Sequence, residues 1–226
     1  FKTANTKMRK DLFISLRHQP KAALINDFSG FGRCSVTVAL PIISQMKVQC
    51  CPVLTSVFSN HTGYPSFYFD DYTEKMPSYI AEWKKLNLHF ECIAAGFLGS
   101  ERQIEIVKNF IRDFKDETTK VLIDPVMGDH GRTYQTFTPE MCSQMKQLAH
   151  FADILTPNLT EACILTDTPY HDGHWQMSEL SELALSLIAM GPSKVVITGV
   201  SMGTFIGNVI CESGGTPSVV KRKRVG

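Results

Sequence analysis

Short apolar runs bounded by turn residues alternate along this chain with stretches whose apolar positions recur at helical spacing. The runs at 22–26, 50–55, 92–95, 121–124, 154–156 and 194–198 read as buried strands. Between them, Val36, Ala39, Leu40 and Ile43 keep a helical period, as do Met76, Tyr79, Ile80 and Trp83, and then Ile104, Val107, Ile111 and Phe114. Leu180, Leu183, Ala184, Leu187 and Ile188 form one broad apolar face. Strands alternating with helices predict an α/β fold, a parallel sheet with helices on both faces. After Thr198 the rhythm changes: 204–211 and 218–220 read as a strand pair about Gly214-Gly215, with no closing helix. No repeat or low-complexity linker interrupts the pattern, so residues 21–226 read as one domain.

Charge changes the picture at the ends. The 226 residues carry 23 Lys+Arg against 22 Asp+Glu. Residues 1–20 hold five basic residues and one acid, and Lys221, Arg222, Lys223 and Arg224 stand close to the final residue, Gly226. Removing both ends leaves 14 basic against 21 acidic residues, a net −7. Such a body repels a phosphate backbone, which argues against nucleic acid as a partner. Residues 1–20 are expected to be a disordered basic tail or a segment foreign to the native chain. No apolar run approaches the roughly 18 residues of a membrane span. Seven cysteines without a Cys-x-x-Cys pattern suggest free thiols in a reducing cytoplasm. His171 and His174 share a loop and read as solvent-exposed residues rather than metal ligands.

Ligands of open α/β sheets bind beyond the carboxyl ends of the strands, and the polar clusters fall there. Asn26, Asp27, Ser29 and Gly30 follow the first predicted strand; Ser59, Asn60, His61 and Thr62 lie just after the second. Gly96, Phe97 and Gly99 follow the third, and Asp124 to Asp129 the fourth. Thr156, Asn158 and Glu161 follow the fifth, and Thr198 and Gly199 the sixth. Gly30-x-Gly32-x-x-Ser35 imitates a dinucleotide fingerprint, but Thr55 and Ser56 stand where the ribose-binding acid belongs. Neither a P-loop nor a hydrolase elbow occurs. Asp124 and Asp129 across a Pro- and Gly-shaped turn suit a hydrated Mg²⁺, with a plain Asp-Pro turn and an exposed Gly-Asp as the lesser alternative. Asn158 and Glu161, one helical turn apart, suit a helix cap as well as a metal's water shell.

Four segments in order carry a resemblance: Phe58-Ser-Asn-His61-Thr62-Gly-Tyr64, Asp124-Pro-Val-Met-Gly-Asp129, Thr156-Pro-Asn158-Leu-Thr-Glu161 and Val195-Val-Ile-Thr198. Together they resemble the pyridoxal (pyridoxamine) kinases of the ribokinase-like superfamily, over about residues 21–211. The hydroxymethylpyrimidine kinases share much of the set; Asp27-x-Ser29-Gly30 leans toward them, and Ser-Asn-His-Thr leans back toward vitamin B6. The resemblance implies a three-layer αβα sandwich with a mostly parallel sheet. It also implies transfer of the γ-phosphoryl group of ATP to the hydroxymethyl group of a B6 vitamer, with Mg²⁺, in a homodimer; a monovalent cation is a further candidate. By the same resemblance, Asp27, Ser29, Phe58, His61, Thr62 and Phe97 bind the substrate. Asp124, Tyr134, Thr156, Asn158 and Thr198 face the nucleotide, and Asp124, Asp129 and Glu161 the metal. The family's Gly-Thr-Gly-Asp motif, source of amides for the phosphate and of the proton-accepting Asp, is nowhere in the 226 residues. The expectation is therefore that the proton-accepting Asp lies beyond Gly226, together with the helices that follow it in the family; the alternative is a catalytically inactive truncated relative that binds vitamer or nucleotide without phosphorylating it.

Overall fold

The computed structural model describes residues 19–134 and 137–225. Nearly all of the proposed tail, residues 1–18, lies outside the described residues. Gly226, which was expected to bound the domain just short of the proton-accepting Asp, also lies outside them. The described part of the domain therefore runs to Val225, and the fold bears on neither expectation about that end.

A nine-stranded sheet runs through the molecule in the order β11-β10-β9-β8-β5-β4-β1-β2-β3. Its parallel body consists of β1 (Lys21–Phe31), β2 (Gln49–Asn60), β4 (Cys92–Ala95), β5 (Lys120–Ile123), β8 (Ile154–Leu155) and β9 (Lys194–Met202). The short β3 (Phe69–Asp71) lies antiparallel on β2. At the other edge β10 (Phe205–Glu212) and β11 (Ser218–Lys223) follow β9 in antiparallel order. A separate two-stranded hairpin, β6 (Gly128–Asp129) and β7 (Arg132–Thr133), stands beyond β5.

Among the described residues six helices connect these strands: α1 (Ser35–Gln45), α2 (Met76–Lys85), α3 (Glu101–Phe114), α4 (Pro139–Ala149), α5 (Leu159–Thr166) and α6 (Met177–Ala189). They are distributed unevenly. Helices α2 to α6 pack against one another in chain order, whereas α1 packs on β1 and β2. The strands record the same asymmetry. Ile93, Ala95, Val121, Ile123, Leu155, Val195 and Ile197 are buried, while the alternate residues Ala94, Leu122, Ile154 and Val196 are only half-buried. The buried face meets a continuous core that includes Leu98, Ile104, Phe110, Met145, Leu148 and Leu187. Helices on both faces, expected from the alternation, thus become five on one face and one on the other. No helix follows Ala189 among the described residues.

Each predicted strand and helical stripe is present, but several strands are longer than their apolar runs. β1 and β2 stay paired through Phe31 and Asn60, past a register shift at which Thr55 and Ser56 of β2 oppose Asp27 of β1. A bulge of this kind adds a residue to one strand and lets pairing resume. The clusters Asn26–Gly30, Ser59–Asn60 and Thr198–Gly199 therefore lie within strands rather than after them. Helix α4, strand β3 and the β6–β7 hairpin are absent from the periodicity reading. Met141, Met145 and Leu148 carry the buried stripe of α4, whereas two- and three-residue strands are too short to show a period.

At the amino edge, Asp153 ties three elements together. Its Oδ2 accepts from the Val121 amide at 2.8 Å and from Lys115 Nζ at 2.9 Å, and its carbonyl accepts from the Ser193 and Lys194 amides. Burial alone would raise its pKa, but the Val121 amide and Lys115 outweigh that and hold it below the usual carboxylate range. A depressed folded pKa contributes stability above the unfolded value and loses it as pH falls through the folded one. Asp153→Asn is therefore expected to be less stable than the wild type at neutral pH. The gap should narrow as pH falls below the ordinary Asp range, as read by urea midpoints from pH 7 to pH 3.

Candidate active site

The carboxyl edge of the parallel strands gathers the polar residues into two neighbouring groups. The first lies over β1, β2 and β4. Asn26 Oδ1 accepts from the amides of Asp27 and Phe97, both at 3.0 Å, and so bridges the ends of β1 and β4. Asp27 is buried, with Oδ1 accepting from Ser35 Oγ at 2.5 Å and Oδ2 from Ser29 Oγ at 3.2 Å. Both of its oxygens are therefore engaged within the fold. The Phe58 ring is buried among Phe69 at 4.9 Å, Phe67 at 5.7 Å and Phe97 at 6.0 Å. His61 and Thr62 are exposed; His61 Nδ1 accepts from the Gly63 amide, so that ring is held by its own turn. Gly32, at φ +116°, presses against the His61 side chain where any Cβ would collide.

Behind this group stands Gln103, almost wholly buried on the first turn of α3. Its Nε2 donates to the Thr55 carbonyl at 2.8 Å and to Thr73 Oγ1 at 2.8 Å, and its Oε1 accepts from the Gly99 amide at 2.7 Å. The side chain fixes the bulged part of β2 against the loop after β4. Nothing in the sequence pattern singles it out, because a glutamine at a helix start reads as solvent-facing.

The second group lies over β5, β8 and β9. Asn158 caps α5: its Oδ1 accepts from the Glu161 amide at 2.9 Å while Glu161 Oε2 accepts from the Asn158 amide at 2.8 Å. Glu161 reaches further, its Oε1 accepting from the Met127 amide at 3.1 Å, and Asn158 Nδ2 donates to the Gly128 carbonyl at 2.8 Å. The capping box is thus also the clasp of the 124–129 loop. Thr198 bridges to Asn158 in parallel register, and its amide donates to the Pro157 carbonyl. The Thr156 amide donates to the Ile123 carbonyl.

Among the described residues the Asp124 carboxylate has no hydrogen-bond partner, and burial pushes its pKa to about 6. Burial likewise lifts Glu161, with the Asn158 amide opposing and the Asp124 charge adding to the rise, to about 8. Tyr134, 43% exposed, is raised by burial first and then by the negative charges of Glu161, Asp129 and Asp124. Asp129 is exposed on β6 and accepts from the His130 amide.

Asp124, Asp129 and Glu161 do not form a ready chelate. No group of three His, Cys, Asp or Glu among the described residues is arranged to hold a metal ion. The reason is visible in the bonds: Glu161 Oε1 and Asn158 Nδ2 are taken by the 124–129 loop, and Glu161 Oε2 and Asn158 Oδ1 by the amides of the cap itself. The donor set still fits Mg²⁺, which keeps several waters and takes only one or two carboxylates. Asp124 supplies a carboxylate with no competing donor, in a region where acids outnumber cations.

This arrangement of a mostly parallel sheet, flanking helices and a polar carboxyl edge is the ribokinase-like kinase fold, as comparison with solved structures shows. A Bacteroides thetaiotaomicron protein assigned to the phosphomethylpyrimidine kinases is 43% identical, with a TM-score of 0.89 over 92% of this chain and 73% of that one. A second crystal form of that protein contains pyridoxal and matches with a TM-score of 0.86. The pyridoxal kinase of Lactobacillus plantarum is 27% identical, with a TM-score of 0.83 over 92% of this chain and 74% of its own. Among curated relatives, the pyridoxal kinase of Arabidopsis thaliana is 31% identical over 161 residues, 67% of this chain and 49% of its own length. That of Sus scrofa is 32% identical over 153 residues, 62% and 45% respectively. The chain thus spans about half the length of these curated relatives. Residues 40–226 match the phosphomethylpyrimidine kinase family, and the chain belongs to it.

A Cβ on Gly128 would fall far inside contact distance of the Arg132 carbonyl oxygen across the β6–β7 pair. Gly128→Ala is expected to force the hairpin open at a cost of about 1–3 kcal/mol. Amide exchange should quicken at Met127 and Tyr134 while β1 and β2 keep their protection; uniform acceleration would show instead that the hairpin carries global stability.

Proposed function

We propose that the protein is an ATP-dependent kinase of vitamin B6 salvage that phosphorylates the 5′-hydroxymethyl group of pyridoxal, pyridoxamine or pyridoxine. The observation that carries this is that the cluster of Phe58 with Phe67, Phe69 and Phe97 and the acids Asp124 and Glu161 lie along the same carboxyl edge of one sheet. The pyridoxal-containing crystal form of the 43% identical relative supports the substrate class. Solved relatives with ADP support the nucleotide.

In this reading the Phe58 and Phe97 rings line the substrate's flat faces, and Ser29, with Asp27 behind it, meets a polar edge of the pyridine. Asp27, already accepting from two hydroxyls, acts chiefly by orienting Ser29 and Ser35. His61 and Thr62 close the exposed side. Thr156, Thr198 and Asn158 stand at the strand ends that face the triphosphate, with Tyr134 over it. Asp124 would hold Mg²⁺ with Asp129 beside it, and the bound ion would neutralise charge on the transferring phosphoryl group. Glu161 and Asn158 serve that site from behind, by fixing the loop. The acidic body agrees with charge neutralisation by a metal rather than by a lysine-rich cradle. Homodimer formation is supported by aromatic exposure at one end of the sheet, where Phe31 is 65% and Tyr68 66% exposed. Seven free cysteines suit a reducing cytoplasm.

A hydroxymethylpyrimidine substrate is the second reading, favoured by the family match itself. Pyridoxal, pyridoxamine, pyridoxine and hydroxymethylpyrimidine, offered separately with Mg·ATP to the mass-verified chain, separate these readings. A B6 vitamer is expected to bind more tightly than hydroxymethylpyrimidine; the reverse order would select the second reading. A folded sample that bound none of the four would overturn both. Asp124→Asn should weaken Mg·ATP binding roughly tenfold or more while leaving vitamer affinity within about twofold. Equal loss of both ligands would assign Asp124 a folding role.

A further inference from the structure

A cleft opens on the helical side of the molecule, between α4 and α5 and under the loop that leads to α6. It encloses about 530 Å³ and is lined by Cys142, Lys146, Cys163, Asp167, Thr168 and Tyr170. That volume suits a small organic molecule. Its composition is specific. Among the lining residues Lys146 is the one cation and Asp167 the one acid, joined at 2.5 Å. The Asp167 side chain is 85% exposed, whereas that of Lys146 is 27% exposed and so sits deeper. Cys142, Cys163 and Ile164 supply an uncharged floor, since burial raises both thiols, Cys163 to about 11. Tyr170 supplies an aromatic wall, and Ser143 and Thr168 add hydroxyls.

We infer that this cleft is a binding site for a small aromatic acid, one ring with a phosphate or carboxylate group. Its acid displaces Asp167 from Lys146 and its ring lies along Tyr170. Asp167 can leave without harm to the fold: it ends α5 in the left-handed region at φ 54°, and its side chain makes no other hydrogen bond among the described residues. The cleft is separate from the carboxyl edge but touches it from behind. Tyr170 packs against Gly131, at the tip of the hairpin that carries Asp129, closely enough to exclude a Cβ there. The Gly131 amide also donates to Thr160 Oγ1 at 2.8 Å, on the cleft wall. A ligand here therefore bears on the hairpin through its own wall.

The inference does not depend on which substrate the carboxyl edge takes, and binding alone tests it. Phenyl phosphate titrated into the full chain, followed by backbone amide shifts, should bind saturably with shifts centred on Gly131, Cys142, Lys146 and Thr168. Phenol, with the ring but no acid, should bind at least roughly tenfold more weakly, as should phenyl phosphate to Lys146→Met. Asp167→Asn, which frees Lys146 and suits a left-handed position, should tighten binding about two- to fivefold. Because these two variants move affinity in opposite directions, a folding defect cannot imitate the pattern. Shifts centred instead on Asp124 or the basic edge of β11, or equal affinity for wild type and Lys146→Met, would overturn the assignment. So would absence of saturation by about 10 mM, an affinity weaker than about −3 kcal/mol.

Discussion

The carboxylate of Glu161 is the constraint on which the part of the carboxyl edge over β5, β8 and β9 depends. It receives the Asn158 amide at the start of α5 and the Met127 amide in the loop after β5. Those two segments are neighbours only because β5 and β8 pair in the sheet. One buried side chain thereby converts strand pairing into a defined loop, and the loop in turn sets the hairpin with Asp129 and the ring of Tyr134. Buried carboxylates are costly unless several donors surround them. Here the donors belong to the backbone that must be held, so satisfying the acid and ordering the loop are one event.

A parallel arrangement holds at the other end of the edge. Gln103 and Asn26 are polar side chains that bond to backbone groups of adjacent strands and loops, fixing the bulged ends of β1, β2 and β4. The sheet centre is held by apolar packing of Ile93, Val121, Ile123 and Val195 on the α2–α6 layer. Apolar packing fixes layers but tolerates small sliding, while a directed hydrogen bond to a main-chain group fixes position. The molecule uses the first for the body and the second where groups must converge.

The unequal covering of the sheet bears on electrostatics as well as packing. At its carboxyl edge the late antiparallel strands bring Lys223 and Arg224 beside Phe205 and Ser201. Lys223 and Arg224 are therefore on the same edge as Thr198, while the acids sit over β5 and α5. The carboxyl edge thus carries acids at its centre and cations at its flank, a separation of charge along a single edge.

The sequence by itself determined the α/β class, the six parallel strands, the helical stripes and the residue types at each strand end. These follow from periods of 2 and 3.6 and from local turn chemistry, which involve neighbours along the chain. The Asn158–Glu161 cap was legible too, because its two halves lie three residues apart. Tertiary structure alone decided that Glu161 clasps Met127, that Asp27 is occupied by Ser29 and Ser35, and that β1 and β2 continue past a bulge. It alone placed five helices on one face, and it made Gln103 a buried brace rather than a surface residue. Each of these depends on which strands pair and which donor reaches an acceptor tens of residues away. Spacing along the chain carries no record of that.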